Sequence, residues 1–318
     1  MPRISVVIPA YRVALYIEQC VRSVLAQTYP DFECIVVDDG SPDETASIVS
    51  AIQDPRLKLI RQENAGVASA RNAGCRGASG DAVMFLDGDD VLTPNALARL
   101  ISSLDAHPQA VLVFGTTLRT NAAGELEPNQ KALALHTYAS GEVLEEVVAS
   151  RRIFFSGGQM LIRKSAIAEA GGYDPDLPFA EDWEFFCRLA ALGPCLYIGP
   201  QEEIMRHRVR PDSAAPTLSA KWQNYVPAVR KVMKNRMMEQ RFGADRWRAL
   251  IKEAEATHLF EAGRQSFIKR EFGLARRLMI KSLLLAPSTR RLILFAAAQV
   301  TQVFGRPVLA RLRFTVAA

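Results

Sequence analysis

The sequence predicts an α/β protein, a mostly parallel sheet covered by helices on both faces, followed by a basic α-helical region. Three observations predict it. Short apolar runs alternate with amphipathic runs through the first 120 residues, the pattern of strands joined by crossover helices. Polar residues gather just after successive apolar runs, at what such a sheet makes one rim. From about residue 219 the text turns helical and rich in Lys and Arg.

Taken in order, residues 4–9 form a short apolar strand, and residues 14–27 a helix with Leu15, Cys20, Val24 and Leu25 on one side. Residues 32–37 are the next strand and 43–52 the next helix. A third strand at 57–61 precedes a helix at 66–76, and a fourth at 83–86 precedes a helix at 95–105, with Pro94 near its start. Residues 110–114 are a fifth strand. Near-continuous apolar strands are those buried on both faces.

Ligands bind beyond the carboxyl ends of the strands in such sheets. The first strand ends at Pro9, Ala10 and Tyr11, and the second at Asp38, Asp39, Gly40 and Ser41. The third leads to Asn64, Ala65 and Gly66, and the fourth to Asp87, Gly88, Asp89 and Asp90. One such cluster is ordinary turn chemistry; four at one rim predict a site. Three carboxylates so close repel one another and raise each other's pKa, so water or a cation must screen them.

Beyond residue 120 the pattern weakens. Residues 121–131 read as a loop, 142–150 as a helix, and an apolar strand follows Gly157 and Gly158. Glu181 and Asp182 open a helix whose apolar face is Phe185, Leu189 and Leu192; acids in a first turn also suit the helix dipole. Residues 222–240 and 245–269 read as long helices. A helix–turn–helix follows, with Gly273 near its turn and Pro287 closing it, then an apolar-sided segment at 290–304.

The net charge of +5 hides a split. Residues 201–318 carry 23 Lys and Arg against 9 Asp and Glu, whereas the first 200 carry 16 against 25. A basic part attracts anionic surfaces, although a solvated helical surface reads the same way. Five scattered cysteines, with no C-x-x-C pair, fit reduced thiols better than a disulfide or zinc framework. No apolar run reaches the roughly 18 residues of a spanning helix. The N-terminus reads as a strand and not as a signal peptide. The expected location is the cytoplasm, with peripheral contact at the inner face of the membrane through the basic region.

At this point ISVVIPAY, QTYPDFECIVVDDGSPDET, QENAGVASARNAGCRGASGD, VMFLDGDD and AEDWEFFCRLAALG together resemble the family-2 glycosyltransferases, which have the GT-A fold. The resemblance covers residues 1–215 and leaves 216–318 as a basic helical region. It implies an inverting, non-processive transferase that moves a sugar from a nucleotide sugar, by default a UDP sugar, to an acceptor hydroxyl, with Mn²⁺ or Mg²⁺. The expected acceptor is a glycan or lipid-linked glycan of the cell envelope; no nucleic acid partner is expected.

The resemblance also carries site residues. Asp87 and Asp89 match the D-x-D motif, with Asp90 adjacent, as the metal-binding set; hard cations of this kind take oxygen ligands and substrate phosphates. Pro9, Ala10, Tyr11, Asp38, Asp39, Asn64, Gly66, Arg71, Asp87 and Gly88 match the nucleotide pocket, with Asp39 accepting from the base. Arg208 and Arg210, in HRVRPDS, match a closing basic segment that would hold the diphosphate, although many family members have His where this chain has Arg210. Asp182, with Glu181 beside it, matches the motif of the catalytic base. Trp183 would stack on a sugar or anchor its helix. Processive synthases carry Q-x-x-R-W; here Arg246-Trp247 is preceded by Gly243 at the position of the glutamine.

Two other readings stay open at this level. One is a sugar-nucleotide or glycan-binding protein that does not catalyse; the full set of carboxylates speaks against it. The other is a nucleotidyltransferase, whose first loop is Gly-rich, where this chain has PAYRVA.

Overall fold

The structure, a computed structural model, describes residues 2–128, 139–149, 157–210 and 221–304. Ten strands are found among them: β1 (Ile4–Ala10), β2 (Phe32–Asp38), β3 (Leu57–Arg61), β4 (Ala82–Phe85), β5 (Val91–Leu92), β6 (Leu112–Phe114), β7 (Thr116–Thr120), β8 (Met160–Arg163), β9 (Cys195–Tyr197) and β10 (Glu203–Arg208). Seven form one sheet in the order β3-β2-β1-β4-β8-β6-β9, and three form another in the order β5-β10-β7.

β1 pairs in parallel with both β2 and β4, β2 with β3, and β6 with β9, while β8 runs antiparallel to β4 and β6. The sheet is therefore mostly parallel, as predicted, with β8 reversed in its middle. The chain order changes direction at β1, which has β2 on one side and β4 on the other. This switch point opens a crevice at their carboxyl ends.

Helices α1 (Ile17–Leu25), α2 (Thr45–Ala51), α3 (Val67–Gly77) and α4 (Ala96–Ala106) follow the strands as the sequence predicts. The core beside them holds Ile4, Val6, Ile8, Val36, Met84, Leu97 and Leu100, all at 0% exposure, which explains why β1 reads as an unbroken apolar run. A Cβ at Gly74 would lie 2.2 Å from Val7 Cγ1, so glycine is what lets α3 approach the sheet this closely.

The chain divides into two compact units. The first is Met1–Val143, Ile153–Asp176 and Arg188–Pro211; the second is Leu144–Arg152, Leu177–Cys187 and Asp212–Ala318. The boundary expected at 215/216, and Pro211 to Ser213 of the basic motif, lie outside the described residues. So do parts of the loop expected at 121–131 and the end of the helix expected at 142–150. The short helices α5 (Leu144–Val148) and α6 (Lys164–Ala170) precede α7 (Glu181–Leu192).

The second unit continues with α8 (Trp222–Met233), α9 (Arg236–Phe242), α10 (Ala244–Ile268), α11 (Phe272–Leu285) and α12 (Thr289–Phe304). The single helix expected at 222–240 is two, because Asn235 caps α9 by accepting from Met238 N at 3.1 Å. The predicted turn near Gly273 falls earlier. Arg270 has φ +64°, Glu271 N donates to Ser266 O at 2.9 Å, and Gly273 is already helical. Phe260, Met279 and Ala298 form a small core with Phe267, Leu294 and Phe295.

All five cysteines are free, and all but Cys75 are buried. Among the described residues, no helix is long and apolar enough to cross a membrane.

The first unit has a buried carboxylate away from the rim. Glu33 is 4% exposed. Its Oε1 accepts from Ser5 Oγ, Ser79 N and Ser79 Oγ, each at 2.7 Å, and Oε2 pairs with Lys58 Nζ at 2.7 Å. Burial raises its pKa, but the Lys58 and Ser79 bonds and the Ser5 hydroxyl outweigh that and hold it at about 2. A lowered carboxylate pKa stabilises above the unfolded value and loses that contribution as pH falls through the folded value. Glu33→Gln is therefore expected to cost about 3 kcal/mol at pH 7. It should also flatten the acid limb of stability between about pH 4.5 and 2. Urea unfolding across that range checks both.

Candidate active site

The rim at the carboxyl ends of β1, β2 and β4 is built by hydrogen bonds between the strand-end loops. Asp39 N donates to Ala10 O at 2.9 Å, tying the end of β2 to that of β1. Asp39 is 3% exposed. Its Oδ1 accepts from Gln62 Nε2 at 2.7 Å and Ala65 N at 2.9 Å, and its Oδ2 from Gly66 N at 2.9 Å. Asn64 Nδ2 adds a bond to Asp39 O at 2.9 Å. Asp39 thus organises the loop after β3 as its own ligand. Gly66, at φ +87°, begins α3 there, and Gly40, at φ +69°, lies where a Cβ would meet Asn64 N at 2.9 Å. Asp38 is wholly buried and accepts from Ser41 N at 3.2 Å.

The loop after β1 is pinned by the same segment. Arg12 N donates to Ser41 Oγ, Val13 N to Thr45 Oγ1 and Ala14 N to Asp43 Oδ2, at 3.1 to 3.2 Å. Pro9 and Ala10 are buried, and Tyr11, at 45% exposure, stands open at the strand end.

The four residues after Leu86 have distinct surroundings. Asp87 is paired with Arg71, Nη2 to Oδ1 at 3.0 Å, and is the most open of the three carboxylates at 35% exposure. Arg71 is 4% exposed, its guanidinium 4.9 Å over the Tyr173 ring. Gly88 packs so closely that a Cβ would lie 3.2 Å from Val13 Cγ2. Asp89 pairs with Arg210, Oδ2 to Nε at 2.7 Å. Burial, then the charges of Asp90 and Asp87, push Asp89 up to about 6 against the pull of Arg210. Asp90 has no exposed surface. Its Oδ1 accepts from Arg208 N at 2.8 Å and its Oδ2 lies 3.3 Å from His207 Nδ1. Burial raises the Asp90 pKa, opposed by His207. The His207 ring is pulled down by burial, yet the Asp90 hydrogen bond and the neighbouring carboxylates outweigh this and raise it.

Arg208 is 5% exposed. Its Nε donates to Asp89 O at 3.0 Å, Nη1 to Ala122 O at 2.8 Å and Nη2 to Gln19 Oε1 at 2.6 Å. Each guanidinium nitrogen is thus committed inside the protein, which makes Arg208 a staple of the carboxylate loop. Tyr16 lies beneath both arginines, its ring centroid 5.0 Å from Arg208 Cζ and 5.3 Å from Arg210 Cζ.

The first unit therefore brings together the residues expected from the ends of all four strands, plus Arg71, Arg208 and Arg210. Glu181 and Asp182 open α7 in the second unit, both partly exposed. Trp183 beside them is 7% exposed and its Nε1 donates to Val147 O at 2.8 Å. It anchors the helix; a ring so buried has no face for a sugar. Sequence reasoning missed Tyr16, Gln19 and Tyr173. Only Tyr16 had a signal, an aromatic close behind the first strand-end loop. Among the described residues no three His, Cys, Asp or Glu side chains close on a metal ion by themselves.

A parallel sheet with its switch point at β1, carrying a carboxylate cluster on the crevice and a helical C-terminal region, is the GT-A fold of nucleotide-sugar transferases. Residues 5–171, just over half of the chain, match the family model Glycosyl transferase family 2, and the chain belongs to that family. It is 33% identical over 193 residues to the uncharacterized glycosyltransferase EpsJ of Bacillus subtilis, covering 58% of this chain and 55% of that protein. It is 30% identical over 195 residues to a chondroitin synthase of Pasteurella multocida, covering 61% of this chain and 19% of that protein. The chain thus spans about half of the first relative and a fifth of the second. Among solved structures it is similar to TarS of S. aureus in complex with UDP-GlcNAc, with TM-score 0.66, 16% identity and coverage of 95% of this chain and 88% of that one. It also resembles the mannosyltransferase PcManGT of Pyrobaculum calidifontis in complex with GDP-Man and Mn²⁺, with TM-score 0.59, 21% identity and coverage of 96% and 88%.

Arg208→Ala is expected to destabilise the protein by about 3 kcal/mol, since it removes three charge-assisted hydrogen bonds made by a side chain that is itself buried. Arg208→Lys should recover only part of this, because a point charge cannot replace the planar fork. Thermal unfolding of the three proteins side by side checks the ranking.

Proposed function

We propose that the chain transfers a sugar from a nucleotide sugar to an acceptor hydroxyl with inversion, in the synthesis of a cell-surface polysaccharide or lipid-linked glycan. The observation that carries this reading is the convergence of Asp87 and Asp89 with Arg71 and Arg210 at the switch point of a family-2 chain. UDP is the proposed nucleotide. Tyr11, exposed at the end of β1, covers the base, with Pro9, Ala10, Asp38, Asp39, Asn64 and Gly66 shaping the pocket beneath it. Arg210 is the arginine proposed to meet the diphosphate, with Arg208 holding the loop.

The donor set fits a hard divalent cation, Mn²⁺ or Mg²⁺. The oxygens are carboxylate, Asp87 is partly open, and Asp89 is pushed up to about 6 by burial and then by the charges of Asp90 and Asp87, a repulsion that a cation would relieve. Asp89 and Asp87 would hold the ion, with Asp90 behind them, and a bound cation supplies charge to the departing diphosphate. Asp182 is the proposed base, with Glu181 beside it. It takes the proton of the acceptor hydroxyl as that oxygen bonds to the anomeric carbon. The bond from that carbon to the diphosphate breaks on the opposite face, and the nucleoside diphosphate leaves.

The acceptor is proposed to lie at the cytosolic face of a membrane. What supports this is the basic C-terminal charge together with the exposed Leu284, Leu292 and Ile293 and the exposed Arg276, Arg277 and Lys281 of α11 and α12. Replacing those three cations with Gln is expected to abolish flotation with vesicles containing phosphatidylglycerol. Equal flotation of both proteins would remove the membrane from the proposal.

A donor screen tests the central reading. UDP-, GDP- and dTDP-sugars are supplied with Mn²⁺ or Mg²⁺, and nucleoside diphosphate release is followed without an acceptor. One donor is expected to be hydrolysed, with activity lost on adding EDTA and in Asp89→Ala. Tyr11→Ala should weaken nucleotide binding at unchanged thermal stability. Asp182→Asn should lower turnover by about 10²- to 10⁴-fold. No release and no metal-dependent nucleotide binding would leave a non-catalytic binding protein.

A further inference from the structure

Two residues before the proposed base the backbone is held in a conformation that alanine rarely adopts. Ala180 has φ +61°, in the left-handed region that costs an L-residue through its Cβ. The helix starts directly from it, since Glu184 N donates to Ala180 O at 3.1 Å. Such a conformation persists only where the surroundings over-determine it.

Here the surroundings are four rings of the second unit. Phe179, just before Ala180, meets Tyr225 of α8 edge-on, with centroids 4.9 Å apart at 87°. Trp183, just after Asp182, meets His258 of α10 edge-on at 4.7 Å and 76°. Tyr225 and His258 stack on each other at 4.5 Å and 27°. Both ends of the segment are thus fastened to one stacked pair. The pair is well enclosed: Tyr225 is 5% and His258 7% exposed. His258 Nε2 is buried without a hydrogen-bond partner among the described residues, and burial pushes the ring down to about 3. It is neutral at ordinary pH and acts as a flat wedge.

We propose that Tyr225 and His258 are positioning residues for catalysis, a stacked wedge that fixes the left-handed turn at Ala180 and so aims the Asp182 carboxylate. This rests on Asp182 being the base. It gives the C-terminal helices a catalytic task separate from any surface they present. With the wedge removed, Ala180 relaxes toward ordinary φ and the carboxylate swings with it; displacements of about 1 Å in a reacting group cost on the order of 10²-fold in rate.

The test uses the full chain and follows nucleoside diphosphate release from UDP-GlcNAc and GDP-Man, with circular dichroism and nucleotide Kd recorded for each variant. His258→Ala and Tyr225→Ala are expected to lower kcat about 10- to 100-fold with donor KM and nucleotide Kd unchanged. His258→Phe, which keeps the flat ring, should restore kcat. Adding Ala180→Gly to His258→Ala should recover part of it, since glycine adopts positive φ without a steric penalty. Where an alanine variant does not fold, Ala180→Val leaves all four rings in place and is expected to show the same kcat loss. Folded wedge variants at full kcat beside an inactive Asp182→Asn overturn the wedge and leave the base standing. Full activity of Asp182→Asn overturns the base and the wedge's role with it. A loss confined to KM also overturns the proposal, because it would place the wedge at the donor.

Discussion

The carboxylate rim depends on an acid with no exposed surface. Asp90 lies under the loop that carries Asp87 and Asp89, and a buried carboxylate is tolerated only when it is paired and hydrogen-bonded. Its partners come from the end of β10, the Arg208 amide and the His207 ring. β10 is itself held by β5, the two-residue strand that directly follows Asp90, with Arg206 opposite Val91 and Met205 opposite Leu92. Arg208 then turns its side chain back onto Asp89 O and across to Gln19 and Ala122. The carboxylate loop is therefore not a free turn after β4. It is clasped between a strand of the large sheet and a strand of the small one, and Asp90 is the point where the clasp closes.

The same division between a residue that faces outward and one that holds it recurs along the rim. Asp39 spends its carboxylate on Ala65 N, Gly66 N and Gln62, while Tyr11 stands open above the end of β1. Arg208 is committed to the protein, while Arg210 pairs with the carboxylate that has the raised pKa. In each case an acid or base that sequence alone credits with ligand contact does its first work in fixing a neighbour. If the rim binds the proposed nucleotide, a mutation at the holding residue changes stability and binding together, and one at the facing residue separates them.

The four strand ends were legible in the sequence because a parallel sheet with crossover helices sends every carboxyl end to one rim. The apolar runs that announce its strands are local signals. The reversed β8 was legible as a strand but not in direction, because nothing in MLIR says whether it runs with β4 or against it. The second sheet was not legible at all. β10 pairs with β7 from Glu203↔Thr116 to Arg208↔Thr120, a pairing across a long stretch of sequence that no local period records. The roles of Asp39 and Arg208 were hidden for the same reason, since their partners are backbone amides and carbonyls whose identity the side chains do not announce. The break between α8 and α9 shows the reverse case. Asn235 was a readable cap, and the apolar periodicity running through it masked the signal.

Three non-glycine residues take positive φ among the described residues: Arg12, Ala180 and Arg270. The last turns the chain between α10 and α11. The other two stand beside residues of the proposed machinery, Arg12 directly after Tyr11 in the first unit and Ala180 directly before Glu181 in the second. The protein fixes its turns in two ways. At the strand-end rim Gly40 and Gly66 adopt positive φ without steric cost, and hydrogen bonds around Asp39 select that state from the many open to glycine. At the acidic turn the residue is alanine, whose own preference opposes the observed conformation, so the selecting force must come from packing. Hydrogen bonds would suit a loop proposed to surround a flat, polar base, because they leave its surface open. Rings would suit the carboxylate proposed as the base, because a stacked wedge resists rotation without adding a charge that would compete for the proton. The neutral His258 meets that requirement where a charged histidine would not.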